Sequence, residues 1–233
     1  MLLLGSVCES MLAPEVTVID YGVGNLLSVR RALEYHGAQV VVTSDPNEIR
    51  CASRLLLPGV GAFSTAMQLL QEKSIIDAIR EAARNATPVL GICLGMQLLF
   101  DESSEFGRTK GLGLIPGEVL PLPRQSIGGA RLKSPNIGWH ALVPVRNANE
   151  WRGTILDSVY VGDAVYFLHS FAVTTENEAD RLADSVYGGH RIASVVKHGN
   201  VMGCQFHPEK SGKVGLNILA QFLKMNPAGV MAQ

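Results

Sequence analysis

Between Glu15 and Cys93 the chain alternates short apolar runs with amphipathic stretches, and few folds accommodate that rhythm. "EVTVID" reads as a buried strand. "NLLSVRRALEYHG" spaces its apolar residues as a helix does, with Asn25 near the N-cap and Gly37 as the stop. "AQVVVT" and "RLLLP" read as further strands, "AFSTAMQLLQ" and "SIIDAIREAARN" as helices, and "TPVLGI" as a fourth strand feeding Cys93. Strands alternating with helices make βαβ units, which require a parallel sheet covered on both faces. After about residue 110 the helical spacing stops. "AVYFLHSFAVTT", "RLADSVYGG", "RIASVVKHG" and "VMGCQF" read as short, mainly antiparallel strands before a closing helix in "SGKVGLNILAQFLK". The expected fold is therefore α/β and three-layered: a mostly parallel central sheet, helices on both faces, and additional antiparallel strands in the C-terminal half. No repeat or linker divides the chain, and 233 residues suit a single well-buried domain. That domain is expected over 15–225, with a poorly ordered extension at 1–14 and a tail at 226–233.

Composition excludes several classes of partner. A net charge of −1 without a Lys/Arg run argues against a nucleic-acid or polybasic membrane surface. Cys8, Cys51, Cys93 and Cys204 are scattered, with no CxxC pair, as expected of reduced thiols in a cytoplasmic protein rather than a disulfide framework or zinc site. "MLLLGSVCESML" lacks the positive n-region of a signal peptide, and Val7 stands where a lipoprotein signal needs a small residue. No apolar run approaches the roughly 18–20 residues of a membrane span. Neither a metal nor a cofactor is expected.

Cys93 falls where the fourth strand turns into a helix, at the carboxyl edge where parallel sheets bind ligands. Gly91 and Gly95 flank it, two residues away on either side. This G-x-C-x-G spacing copies the nucleophile elbow, whose glycines avoid collision with neighbouring strand and helix. A helix N-terminus also favours the reactive thiolate, of which an unperturbed thiol supplies only a few per cent at neutral pH. The competing reading is a small buried residue at a tight turn.

A thiol nucleophile needs a base and a group to orient it. In "GCQFHPEKS", His207 stands where a buried strand emerges, and Glu209 lies two residues on. In extended geometry both side chains would point the same way, letting the carboxylate set the imidazole's tautomer. The bland reading is a surface His-Pro-Glu turn. Acid following base by two residues fits neither the α/β-hydrolase order nor the papain pattern. Of the other histidines, His169 reads as structural with its adjoining backbone at the site, and His36 as a helix-end residue. His140, His190 and His198 show no partners. Cys204 reads as core; it forms a C-x-x-H pair with His207, but no second pair completes a metal site.

In "LPGVGAF" at 57–63, a strand ends at Pro58 and two glycines precede a helix. Without G-K-[ST] it is no Walker motif. It is placed to aim a backbone N–H at an oxyanion formed when Cys93 attacks a carbonyl.

Taken together, "GICLGMQLLF" and "QFHPE" resemble the triad-type, class I glutamine amidotransferases, whose Cys-His-Glu triad releases ammonia from glutamine's side-chain amide. "DYGVGNLLSV", "LPGVGAF", "GLGLIPGEV", "YFLHSF" and "QFHPEKS", in this order, are similar to the glutaminase subunits of imidazole glycerol phosphate synthase, from about Val16 to Leu223. The resemblance implies a flavodoxin-like fold, Cys93 as nucleophile, His207 as base and acid, and Glu209 as its orienter. It implies oxyanion donors from Leu94 and the Val60 region, with Gly59 and Gly61 making that turn mobile. It implies Gln97 and the backbone at Ser170 and Phe171 as holders of glutamine's amino-acid end. The implied partner is a cyclase subunit, a (β/α)8 barrel in a heterodimer, which uses the ammonia in histidine biosynthesis. A glutaminase for another synthase and a catalytically silent binding subunit are the alternatives. One local departure stands out: the family reads Pro-His-Met/Ile-Gly-Trp-Asn, and "PNIGWH" has Asn136 and His140 at the variable points.

Overall fold

The computed structural model describes residues 15–226 and the backbone of 230–231; the expected extension at 1–14, with Cys8, and the rest of the tail lie outside the described residues. The first half runs β1 (Glu15–Ile19), α1 (Leu26–Glu34), β2 (Gln39–Thr43), α2 (Pro46–Arg50), β3 (Leu55–Leu57), α3 (Phe63–Glu72), α4 (Ile76–Arg84), β4 (Val89–Ile92) and α5 (Leu94–Leu98). Asn25 caps α1 as expected, its side chain accepting from Ser28 N at 3.3 Å. Beyond the other end of that helix, Gly37 takes a φ of 76°. Helix α2 has no counterpart in the sequence reading. Five residues carry too little periodicity to register, although Asp45 caps it and Pro46 opens it.

The second half contains β5 (Phe100–Ser103), β6 (Thr109–Lys110), β7 (Ile115–Pro121), β8 (Asn136–Ala141), β9 (Val143–Pro144), β10 (Ala164–His169), β11 (Phe171–Thr175), β12 (Arg181–Tyr187), β13 (His190–His198) and β14 (Val201–Cys204). Helix α6 (Gly212–Leu223) follows, and β15 (Met225–Asn226) pairs with β16 (Val230–Met231).

The central sheet has the order β2-β1-β3-β4-β14-β13-β12-β9. Its first five strands are parallel, and β13, β12 and β9 continue it antiparallel. The pleat sends alternate residues to opposite faces. Val16, Val18, Leu56 and Leu90 pack with Leu33 of α1 and Phe222 of α6 on one side. Ile19, Leu55, Leu57 and Val89 pack with Ile49 of α2, Phe63 of α3 and Ile79 of α4 on the other. Each such side chain withdrawn from water contributes about 1.5–3 kcal/mol, which is what holds helices to both faces.

"AVYFLHSFAVTT" divides at Ser170. β10 pairs antiparallel with β8, whereas β11 joins the four-stranded sheet β11-β7-β5-β6. The pairing that matters most for chemistry is the parallel one of β4 with β14, which brings their carboxyl ends to the same edge. There the Cys93 N–H donates to Cys204 O at 2.8 Å.

Candidate active site

Cys93 has φ 53° and ψ −110°, a conformation that side chains rarely adopt. Strain of this kind costs of order 1–3 kcal/mol and persists only where the surroundings enforce it. Here they do. A Cβ on Gly91 would lie 2.6 Å from Gly95 O, and one on Gly95 would lie 1.8 Å from Leu57 O. The chain can therefore turn from β4 into α5 only with glycine at both positions, and the turn presents the sulfur above the sheet edge.

His207 follows β14, its N–H donating to Tyr166 O at 2.9 Å. Its Nδ1 meets Glu209 Oε1 at 2.9 Å, with both side chains buried. The sequence leads one to expect an extended chain here; the structure corrects it. Pro208–Lys210 forms a turn of 3-10 helix, which folds Glu209 back onto the imidazole. Ser211 pins that turn, donating to His207 O at 2.7 Å while its oxygen accepts from Tyr166 N at 2.9 Å. A carboxylate can only accept, so beside one Nδ1 carries the proton and Nε2 is the nitrogen left to take another. Nε2 is buried without an aligned hydrogen bond in this conformation. Burial presses the His207 pKa down, but interaction with the Cys93 sulfur and then the Glu209 carboxylate outweighs it, pushing the pKa up to about 9.

Cys93 and His207 line a cleft of about 230 Å³, together with Val60, Gly61, Leu94, Gln97, Ser170 and Phe171. Glu209 stands behind His207, outside the lining. Gly59 is also outside it, and packing is what requires a glycine there: its Cβ would sit 2.6 Å from the Tyr21 hydroxyl and 2.8 Å from Gly95 N. Gly61 is different, with φ 99° and open space around its Cα. Gln97 donates through Nε2 to Phe171 O at 3.0 Å and to Gln205 Oε1 at 3.1 Å, which turns its own oxygen away from both.

Four residues at the site escaped the sequence reading. Tyr21 donates to Pro58 O at 2.8 Å and anchors the 57–63 turn; burial, then Cys93, raises its phenol well above the ordinary range. Glu105 lines the cleft and accepts from Phe63 N at 2.6 Å. Leu168 O lies 3.7 Å from Cys93 Sγ, and so does Gln205 Nε2. Tyr21, Leu168 and Gln205 lie inside stretches quoted above, "DYGVGNLLSV", "YFLHSF" and "QFHPE", but neither composition nor periodicity singles them out within those stretches, and Glu105 lies in none.

His169 is structural, as read. Its Nδ1 donates to Phe171 O at 2.9 Å, and burial drives its pKa down to about 4. With Nδ1 protonated, Nε2 accepts from Asn136 Nδ2 at 3.1 Å, and Asn136 Oδ1 in turn accepts from His140 Nε2 at 2.8 Å. His140 therefore has a partner, contrary to expectation. So do His198, 3.1 Å from Asp180, and His190, 2.9 Å from Gln125 O. Cys204 is fully buried core, and its burial raises the thiol pKa well above normal. Among the described residues no cluster of three His, Cys, Asp or Glu could hold a metal ion, and no helix is long and apolar enough to cross a membrane.

Residues 17–225 match the family model for class-I glutamine amidotransferase. The imidazole glycerol phosphate synthase subunit HisH 1 of Legionella pneumophila (strain Lens) is 50% identical over 210 residues, covering 90% of this chain and 99% of that protein. The HisH subunit of Geobacillus sp. (strain WCH70) is 46% identical over 207 residues, covering 89% and 95%. A solved structure described as a glutamine amidotransferase superposes with a TM-score of 0.66 at 20% identity, covering 89% of this chain and 97% of that one. PurLQS from Thermotoga maritima gives a TM-score of 0.65 at 21% identity, covering 91% and 98%.

Proposed function

The chain belongs to the class I glutamine amidotransferases, among the HisH subunits of imidazole glycerol phosphate synthase, and from that premise we propose how its own residues work. It is the glutaminase subunit, supplying ammonia to imidazole glycerol phosphate synthesis in histidine biosynthesis. The observation that carries the mechanism is the strained thiol of Cys93 sharing one cleft with a buried His207–Glu209 pair.

Cys93 Sγ passes its proton to His207 Nε2 and attacks the side-chain amide carbon of glutamine. The oxyanion that forms is met by the backbone N–H groups of Leu94, at the unsatisfied start of α5, and of Val60. His207 then protonates the departing nitrogen, ammonia leaves, and a thioester remains on Cys93. Water, deprotonated by the same imidazole, releases glutamate and restores the thiol. Gln97 Oε1 and the Glu105 carboxylate are acceptors suited to glutamine's ammonium, and the backbone of Ser170 and Phe171 holds the rest of its amino-acid end. Gly61 gives the 57–63 turn the freedom to swing a peptide N–H toward or away from the oxyanion. Residues 15–225 act as one domain, and the free thiols suit a reducing cytoplasm.

As a subunit the chain works with a cyclase, which we take to be a (β/α)8 barrel in a heterodimer. Its dock is the outward side of the β8–β10 pair, where Ile137 (58% exposed) and Trp139 (55% exposed) stand beside Leu168, a cleft residue. An apolar strip continuous with the cleft mouth suits a partner that receives ammonia before water protonates it. The test is glutamate release from glutamine by the complex: Cys93→Ala abolishes it while the complex still assembles. Full activity in that variant would remove the thiol mechanism.

A further inference from the structure

Gln205 is fully buried between β14 and His207, with its backbone N–H donating to Ser194 O at 2.9 Å. A buried primary amide needs partners for both its oxygen and its nitrogen. Which end faces which neighbour follows from the partners themselves. Phe171 O is a carbonyl and can only accept, so the group that Gln97 extends toward it at 3.0 Å is Nε2. The same nitrogen reaches Gln205 at 3.1 Å, so Gln205 presents its oxygen there. The Gln205 nitrogen is thereby turned the other way, and it lies 3.7 Å from Cys93 Sγ.

The sulfur thus sits between two neighbours of opposite character. Leu168 O, also at 3.7 Å, is an acceptor and can bond only the thiol form. Gln205 Nε2–H is a donor and suits the sulfur best when it carries negative charge. Cys93 is buried, and a charge held away from water carries a desolvation penalty. A fixed neutral donor offsets that penalty without changing its own protonation. We propose that Gln205 is a catalytic residue of this chain, whose Nε2–H bonds Cys93 Sγ and holds it as thiolate once the proton has passed to His207 Nε2. Gln97 is its positioning residue: through one nitrogen it ties the substrate-facing carbonyl of Phe171 to the amide that serves the nucleophile. The inference rests on Cys93 being the nucleophile.

The experiment is the pH dependence of iodoacetamide alkylation of Cys93 in the complex with the cyclase subunit. It is followed on the Cys93 peptide by mass spectrometry, so that Cys51 and Cys204 do not contribute. In Gln205→Met, which keeps the volume and removes the donor, the alkylation midpoint rises by about one pH unit, because a hydrogen bond to a charged group is lost. Glutamate release at neutral pH falls about tenfold with it. An unshifted midpoint overturns the proposal even if activity drops, since a purely structural amide would lower stability and leave the thiol's titration alone. If the methionine variant does not fold, Gln205→Asn retains an amide too short to reach the sulfur, and the same midpoint decides. Activity surviving in Cys93→Ala would instead indict the nucleophile assignment, a separate failure.

Discussion

His207 Nδ1 and Glu209 Oε1 meet at 2.9 Å across a turn of 3-10 helix, both side chains being withdrawn from solvent. The second carboxylate oxygen, Oε2, is buried with no hydrogen-bond partner, so Glu209 is committed to the imidazole. Glu209→Gln should keep the fold and lower glutamate release by up to about 10⁴-fold, because an amide can hold the wrong tautomer and cannot balance the imidazolium's charge. The loss should stay below that of Cys93→Ala. Steady-state rates measured across neutral pH check this, and an unchanged rate would count against Glu209 as orienter.

The pKa of His207, about 9 against an ordinary 6.5, has a thermodynamic consequence. Because the folded-state value is the raised one, protonated His207 stabilises the fold fully below about pH 6.5. That contribution is lost as pH climbs through about 9. Cys93→Ala removes the larger raising influence, so its imidazole should titrate at lower pH. NMR titration of the His207 ring in the two proteins reads this directly. Urea midpoints of the two proteins should converge as pH rises from about 6.5 to about 9, because the extra contribution that only the wild type has is lost over that range. A wild-type ring that titrates below its ordinary value would refute the assignment.

Asn136 and His140 exchange the residue types that the family pattern has at these positions, and the structure shows them bonded to one another, with Asn136 also bonded to His169. Asn136→Leu leaves the buried Nε2 of His169 unpaired, at about 1–3 kcal/mol, and takes the partner from the half-buried His140. It should raise the KM for glutamine more than it lowers kcat, since His169 holds Phe171 O at the cleft. The double variant Asn136→His/His140→Asn keeps one imidazole and one amide in contact and should recover most of the loss. Failure of the double variant to improve on Asn136→Leu would break the link.

Trp139 stacks edge-on against Tyr166, with ring centroids 6.0 Å apart, and is otherwise open to solvent. Trp139→Arg should leave the monomer folded but abolish co-elution with the cyclase subunit. The isolated chain should hydrolyse glutamine at least about 10²-fold more slowly than the complex, the scale of one missing oxyanion donor. Size-exclusion chromatography and glutamate release at saturating glutamine measure the two effects. Equal turnover with and without the cyclase would sink the coupling.

Residues whose neighbours lie close in sequence were legible without a structure. Gly91 beside Cys93 is such a case, since its Cβ would strike the backbone of Gly95 and Met96 a few residues on, whereas Gly95 is required by Leu57 of a neighbouring strand. Another such case is the strand and helix order from Glu15 to Leu98, the five-residue α2 excepted, because burying one face imposes periods of 2 and 3.6 on the apolar residues. Even the pairing of His207 with Glu209 could be named, although its geometry was misjudged: Pro208 opens a helical turn where an extended chain was assumed.

What only the tertiary structure decided is which distant groups meet. Gln97 and Gln205 are 108 residues apart, Asn136 and His169 are 33 apart, and Tyr21 reaches Pro58 across 37. Strand pairing sets these meetings, β4 beside β14 and β8 beside β10, and no local periodicity encodes which strand lies next to which. A buried polar side chain announces nothing in sequence about its partner, because its hydrogen bond is satisfied equally well by any donor or acceptor that the fold delivers. The proposed nucleophile could therefore be read from its own neighbours in sequence, while the groups proposed to tune it waited on the sheet.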